Sequence, residues 1–349
     1  MTADVTADVT ADVNPAPSYF PSVSVIVPIY NGEQDLPGLL SALLAQTYPA
    51  DKVEYLLVDN GSSDRTPQIL AEAATDFEAA DLTFKPLSQT DIQSSYAARN
   101  TGICAATGEF LAFTDADCHP APAWLAELMQ PFSDPQVGLV AGEIEALPGN
   151  TLLERYADDK DVLSQTHTLN HPFCPYGQTA NLGIRVSAIA QVGLFRPYLT
   201  TGGDADICWR IQQEGTGPSS TDGPWQIRSA PQAIIRHRHR QTLKELHSQW
   251  YRYGKSNRYL HELHGIALTR TLKDRERNRV LLRWLLKDLP KGLAILLFQQ
   301  KISIDKLIGP IADLYCGNAR ALGQKESKLP EAARQKVAYP TPRSTVPSQ

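Results

Sequence analysis

From about Val23 onward, apolar positions fall into short β-branched runs that alternate with stretches of helical spacing. The run Val23-Ser-Val-Ile-Val27, stopped by Pro28, predicts a buried strand. Leu36, Leu39, Leu40, Leu43 and Leu44 then recur as one face of a helix. Val53 to Val58 predicts a second strand, and Thr66-Pro67 opens a second helix with proline in its first turn. A third helix is expected over Ser95 to Ala106, followed by a strand over Glu109 to Thr114 that runs into Asp115-Ala-Asp117. Strand and helix alternating at this spacing form right-handed βαβ units around a mainly parallel sheet. Ligands of such sheets gather beyond the carboxyl ends of the strands. Pro28 to Asn31, Asp59 to Asp64 and Asp115 to Asp117 all fall there.

The middle of the chain, from about Val137 to His239, mixes strands and helices around the run Gly202-Gly-Asp-Ala-Asp206. Beyond Thr242 the pattern turns helical and basic. One predicted helix carries Leu243, Leu246 and Trp250; another, from about Val280 to Leu289, sets Leu281, Leu282, Trp284, Leu285 and Leu286 beside Arg283 and Lys287. Thr2-Ala-Asp-Val5 recurs twice more by Val13, and this four-residue period offers little to pack. The last stretch is rich in Pro, Lys, Ser and Gln, so both ends read as disordered tails. The expected organisation is a tail over 1–20, an α/β domain over 21–241 with halves at 21–130 and 131–241, a basic amphipathic helical extension over 242–320, and a tail over 321–349.

Hydrophobic residues make up 42% and charged residues 20% of the 349, the balance of a globular chain. A net charge of −5 argues against a nucleic-acid partner. The charge is uneven, however. Between Arg228 and Lys287, 15 Lys/Arg face 4 Asp/Glu, a local +11 that leaves −16 for the rest. A basic segment on an acidic body suits an anionic partner, either a phosphate group or an anionic membrane surface. The five cysteines are odd in number and lack zinc or redox spacing, so free thiols in a reducing compartment are expected. No basic stretch leads into an apolar one at the N-terminus, so no secretory signal is expected. The apolar run Leu293 to Phe298 is far short of the roughly 20 residues a spanning helix needs. The expected location is the cytoplasm, or the inner face of the cell membrane as a peripheral protein.

Two carboxylates one residue apart at a strand end, Asp115 and Asp117, can both face a cavity and hold one divalent ion whose shell a diphosphate completes. The same pattern also suits a turn with helix-capping aspartates. Asp204 and Asp206 follow two glycines and likewise fit either a helix cap or a reactive role, with Asp206 able to hold Arg210 across one turn. His237 and His239 alternate with Arg236, Arg238 and Arg240, so on a strand they share a face, as ligands or as part of a solvated basic edge.

In order and spacing, four segments resemble the family-2 glycosyltransferases, whose fold is of the GT-A type. They are Val23–Asn31 (VSVIVPIYN), Val58–Thr66 (VDNGSSDRT), Ala97–Gly102 (AARNTG) and Gly108–Asp117 (GEFLAFTDAD). The likeness is dense from Val23 to Asp117 and thinner to about Lys255. It implies an α/β fold with a mixed, mainly parallel sheet flanked by helices and a C-terminal helical extension. It also implies an inverting glycosyltransferase of hexosyltransferase type, with a nucleoside-diphosphate sugar donor, a glycan or lipid-linked acceptor, and a divalent metal, Mg2+ or Mn2+.

Residue by residue, the resemblance assigns the nucleotide-sugar to Pro28, Tyr30, Asn31, Asp59, Arg99 and Asp115. Asp59 would accept from the base and Tyr30 lie on its face. Arg99 could pair with strand-end carboxylates or with phosphate; Asp64 reads as a helix cap, and Asn100 and Gly102 as packing. Asp117 is the firmer metal ligand, Asp115 reaches ribose and metal-bound water, and His237 stands where a third ligand would. The run from Gly202 looks like the family's Glu-Asp motif, with Gly203 in place of Glu and Asp204 retained as general base. Asp206, Arg210, Gln249, Trp250 and Arg252 are expected on the acceptor or phosphate side. Arg252-Tyr253 stands where processive synthases carry Arg-Trp, which points to a non-processive enzyme.

The alternatives are a nucleotide-sugar or lipid-binding protein of this fold without turnover, motivated by Gly203, and a nucleotidyltransferase. The latter needs cations after the first strand, and Pro28 to Glu33 has none. No Gly-x-Gly-x-x-Gly follows a strand, which disfavours an oxidoreductase.

Overall fold

In the computed structural model, which describes residues 19–149, 151–218, 223–299 and 304–340, all seven residues of the first strand are buried. That strand, β1 (Val23–Ile29), lies between β2 (Val53–Asp59) and β4 (Phe110–Phe113), parallel to both. A strand covered on both faces reads as a nearly continuous apolar run. α1 (Leu36–Leu44) and α2 (Thr66–Ala79) cross over to β2 and to the edge strand β3 (Thr83–Ser88), and α3 (Ser95–Ala105) leads to β4. Pro28 does not stop β1, contrary to expectation. Pairing with β4 ends at Ile26, so the missing N–H of Pro28 faces no partner on that side.

β5 (Cys118–Pro120), α4 (Trp124–Met129), β6 (Val137–Ala146), α5 (Leu152–Asp159), α6 (Gln165–Leu169), β7 (Leu182–Arg185), α7 (Val186–Val192), α8 (Gly203–Glu214) and β8 (Gln226–His237) continue the chain. The sheet runs β3-β2-β1-β4-β7-β6-β8-β5, with β7 antiparallel to both neighbours and β5 antiparallel to β8. It is mixed and mainly parallel. Its two faces bury separate cores, one around Val25, Tyr55 and Trp124, the other around Ile26, Phe113 and Phe195.

Four helices follow: α9 (Leu243–His264), α10 (Asp274–Arg283), α11 (Leu289–Gln299) and α12 (Ile304–Glu326). α9 opens on a capping box between Thr242 and Glu245. A π-helical stretch, Trp284–Asp288, joins α10 to α11, so the segment expected to be helical from Val280 belongs to a longer run from 274 to 299. α9 and α12 cross backbone to backbone. A Cβ on Gly254 would lie 1.9 Å from the Arg320 carbonyl oxygen, and one on Gly323 2.0 Å from that of Tyr251.

The expected tail from 321 is wrong as far as 340. α12 runs on to Glu326, and Leu329 and Ala333 are buried against the second core. Arg196 donates to the carbonyls of Ala333 and Arg334, and the Leu194 amide donates to Val337 O at 2.8 Å. The repeat at residues 2–13 and the stretch 341–349 lie outside the described residues.

Candidate active site

The carboxyl ends of β4 and β8, the start of α8 and one side of α9 enclose a cleft of about 220 Å³. It gathers Arg99, Asp115, Asp117, Asp204, His237, Gln249 and Arg252 from the expected set. β5 starts right after Asp117, and its pairing sets Cys118 opposite His237, which brings the imidazole to the aspartate. His237 Nε2 lies 3.1 Å from Asp117 Oδ2, and the Arg240 guanidinium is 3.7 Å from the same oxygen. Enclosure opposes ionisation of Asp117, but the hydrogen bond and charge of His237 and the charge of Arg240 hold its pKa down to about 2. His237 and His239 are buried while Arg236 and Arg238, alternating with them, are exposed, so the histidines share a covered face and the arginines a solvated basic one.

Arg99, almost fully buried on α3, holds Asp115 Oδ1 at 2.5 Å. Enclosure raises the Asp115 pKa; Arg99 pulls it down, and the nearby charges of Asp117 and Asp204 add to the rise. Asn100, on the same helix, bonds the backbone of Phe195 in both directions and so acts in packing, as its place in the motif suggested.

Asp204 sits in the first turn of α8, behind Gly202 at φ +80°. Its Oδ1 accepts from the Thr179 hydroxyl at 3.0 Å and its Oδ2 from the Thr179 amide at 3.4 Å. The glycine at 203 has a steric cause. A Cβ there would lie 2.6 Å from the Tyr96 ring, whose hydroxyl accepts from the Gly203 amide at 2.9 Å. Tyr96 thus fills the space beside Asp204, and burial together with the Asp204 charge lifts its pKa well above the usual phenol range.

Asp206 and Arg210, expected on the acceptor or phosphate side, do not line the cleft. They are 0% and 1% exposed and form a closed network in which Arg196, Arg210 and His264 all bond the Asp206 carboxylate at 2.9 to 3.2 Å. The spacing of four that lets them pair on one helix turn is what the structure uses. Trp250 lines a neighbouring cavity instead of the cleft. Pro28, Tyr30, Asn31 and Asp59 stand at the ends of β1 and β2. There the Asp59 Oδ1 accepts from the Ser62 amide, the Asn31 Oδ1 from the Ser63 amide, and Tyr30 is 55% exposed. Asp64 stands one residue before the α2 cap position, Arg65, and accepts from the Thr66 and Glu33 amides, so it ties the start of α2 to the loop after β1 instead of capping the helix.

The donor set can be tested against a small divalent cation. Neighbouring ligands at about 2.1 Å around an octahedral ion are about 3 Å apart, which matches the Asp117–His237 separation of 3.1 Å. Cys118 is close enough to complete a group of three. Burial raises its thiol pKa well above the usual range, however, and a protonated soft ligand does not suit Mg2+ or Mn2+. The carboxylate and imidazole fit; the thiol does not. Sequence reasoning placed residues 92–96 and 172–179 on the pocket but gave Thr179, Tyr96 and Arg240 no role of their own. Only Arg240 carried a signal of its own, as a neighbour of the two histidines.

An α/β half with a carboxylate cleft at its strand ends is the arrangement of a GT-A-type fold. The sequence model "Glycosyl transferase family 2" matches residues 24–192, and "Glycosyl transferase family group 2" matches 110–300. Glycosyltransferase AglE of Haloferax volcanii is 34% identical over 260 residues, covering 72% of this chain and 78% of that protein. Pre-mycofactocin glycosyltransferase of Mycobacterium tuberculosis is 31% identical over 251 residues, 70% of this chain and 49% of that one. The structure of the mannosyltransferase PcManGT from Pyrobaculum calidifontis, in complex with GDP-Man and Mn2+, shares the fold with a TM-score of 0.59 at 22% identity, covering 90% of each chain. The chain belongs to the family-2 glycosyltransferases, and it is a glycosyltransferase.

Proposed function

We propose that the enzyme moves a sugar from a nucleoside-diphosphate donor to an acceptor hydroxyl by single displacement, inverting the anomeric centre. The observation that carries this reading is the Asp204 carboxylate, anchored by Thr179, in one cleft with Asp115, Asp117 and His237. Asp204 takes the proton of the acceptor hydroxyl as it attacks the sugar. Asp59 and Tyr30 bind the base at the ends of β2 and β1, with Pro28 and Asn31 shaping the loop. Arg99 orients Asp115 toward the ribose, and Arg252, exposed at the cleft and without an ion pair among the described residues, offers a cation to the diphosphate.

Asp117 and His237 would hold a divalent cation, Mg2+ or Mn2+. When bound it supplies charge neutralisation for the departing diphosphate. The GDP-Man and Mn2+ bound to PcManGT support both the donor class and the metal. Gln249 and the cavity beyond it receive a glycan or lipid-linked acceptor, one transfer per encounter.

A thermal-shift screen of nucleoside diphosphates with and without Mn2+ tests this. At least one should raise the melting temperature only with the metal, and Asp117→Ala should erase that dependence. Stabilisation unaffected by excess EDTA would remove the metal from the mechanism.

We also propose that the enzyme works at the inner face of the membrane. Among the described residues no helix is long and apolar enough to cross a bilayer. Leu281, Leu282, Leu285 and Leu286 are exposed at 40 to 68%, with Arg279, Arg283 and Lys287 among them, a pattern suited to the headgroup layer.

A further inference from the structure

Next to the catalytic cleft lies a second cavity of about 380 Å³, and the two share Gln178 and Tyr253. One wall comes from α9 and α12, the other from residues 156–178; Tyr156, Tyr176, Trp250 and Tyr253 give it aromatic faces beside polar groups such as Lys160, Ser164 and Asn257. Arg320 of α12 stands in this wall, 6.0 Å from the Trp250 ring centroid. Its backbone is fixed where α12 presses on Gly254, so the side chain starts from a rigid point.

Arg320 makes no ion pair or hydrogen bond with any described residue, and its Nε is buried without a partner. Asp313, the acid lining the same cavity, is already engaged by the Tyr156 hydroxyl at 2.7 Å and Lys160 at 3.1 Å. Burial lowers the Arg320 pKa, and only the phenols of Tyr176 and Tyr253 act the other way. Every other strongly enclosed guanidinium of the site region is matched to an acid: Arg99 to Asp115, and Arg196 and Arg210 to Asp206. A partly buried cation left without a counter-charge is unfavourable until an anion arrives.

Resting on the glycosyltransferase reading of the adjoining cleft, we infer that this cavity is the acceptor subsite and that the acceptor carries a phosphate ester held by Arg320. The aromatic walls take the ring or apolar part next to that phosphate. Gln178 and Tyr253 line both this cavity and the cleft that holds Asp204, so the two sites adjoin. A soluble sugar or polyol phosphate and a sugar joined to a prenyl lipid through phosphate both present this chemistry, a phosphate ester on a molecule that keeps a free hydroxyl for Asp204.

The test uses the full chain saturated with Mn2+ and whichever of UDP or GDP binds, so that the donor phosphate site is filled. Glycerol 3-phosphate and geranyl phosphate are titrated by calorimetry against wild type and Arg320→Gln, with glycerol and geraniol as neutral controls. The inference expects one phosphate to bind wild type, its alcohol to bind at least tenfold more weakly, and Arg320→Gln to weaken the phosphate at least tenfold. Unchanged nucleoside-diphosphate affinity in the variant certifies its fold. Binding of glycerol 3-phosphate would assign the soluble source, and of geranyl phosphate the lipid source. If neither phosphate binds, or the variant binds as well as wild type, the acceptor inference falls while the donor reading stands. If no nucleoside diphosphate binds wild type, both fall.

Discussion

Thr179 illustrates how the carboxylate proposed as the base is aimed. Its hydroxyl and amide both donate to Asp204, one to each oxygen, so the carboxylate cannot swing freely in the cleft. Removing the hydroxyl costs a bond to a charged acceptor, about 1.5–3 kcal/mol, or roughly 10- to 100-fold if it is felt in the transition state. Thr179→Val is therefore expected to lower kcat by that factor with little change in donor affinity, and Thr179→Ser to restore it. A Val variant with wild-type kcat would show that Asp204 needs no such support. That Asp115, Asp117, Asp204 and His237 would meet was legible only through the likeness of their motifs to the family, since spacing alone also suited helix caps and a basic edge; the structure sets all four on one cleft. The roles of Thr179 and Tyr96 were not legible. A threonine in a loop and a tyrosine in a helix carry no mark of what they touch until the fold brings residues 25 and 107 positions apart together.

At the scale of elements, α8 is held by the Asp206 network, which ties it to Arg196 and to His264 near the end of α9. Breaking a buried ion network by removing one partner costs about 3–5 kcal/mol, so Asp206→Asn should lower the denaturant midpoint markedly. Burial disfavours the Asp206 anion, but His264, Arg210 and Arg196 hold its folded pKa near 2, below the unfolded value. Its contribution is therefore fully present above the unfolded carboxyl pKa and is lost as pH falls from about 4 toward about 2. Wild type should lose stability through that window more steeply than Asp206→Asn; equal slopes would assign the acid sensitivity elsewhere. Strands β1, β2 and β4 were readable because burial on both faces leaves a nearly continuous apolar run, broken by Ser24 in β1 and Glu54 in β2, which bond each other. β3 alternates exposed and half-buried residues around Pro86, and carries no such run. The segment 327–340 was hidden by its Lys and Pro content, although Leu329, Ala333 and Val337 recur every four residues and rest on the body.

At the scale of the whole molecule, charge and apolar surface coincide. The basic stretch that departs from the acidic average runs into the helix whose leucines are uncovered. Each cation near an anionic surface adds about 1 kcal/mol, enough in combination for reversible attachment. Sedimentation with liposomes should show binding to anionic but not neutral vesicles, lost at high salt or on deleting residues 280–317. No binding to either would mean that this helix serves another contact. The sequence supplied the pattern of leucines and arginines, but exposure depends on which helices pack on which, and so had to come from the fold.

The central claim is that Asp204 deprotonates the acceptor in a metal-assisted transfer. The direct measurement is nucleoside-diphosphate release from a panel of nucleotide-sugars, supplied with Mn2+ and a lipid and glycan extract, by wild type and Asp204→Asn. General-base catalysis contributes about 10²–10⁴-fold, so the variant is expected to lose at least 10²-fold in turnover while binding the nucleoside diphosphate within a few-fold of wild type. Turnover at the wild-type rate by Asp204→Asn would contradict the account.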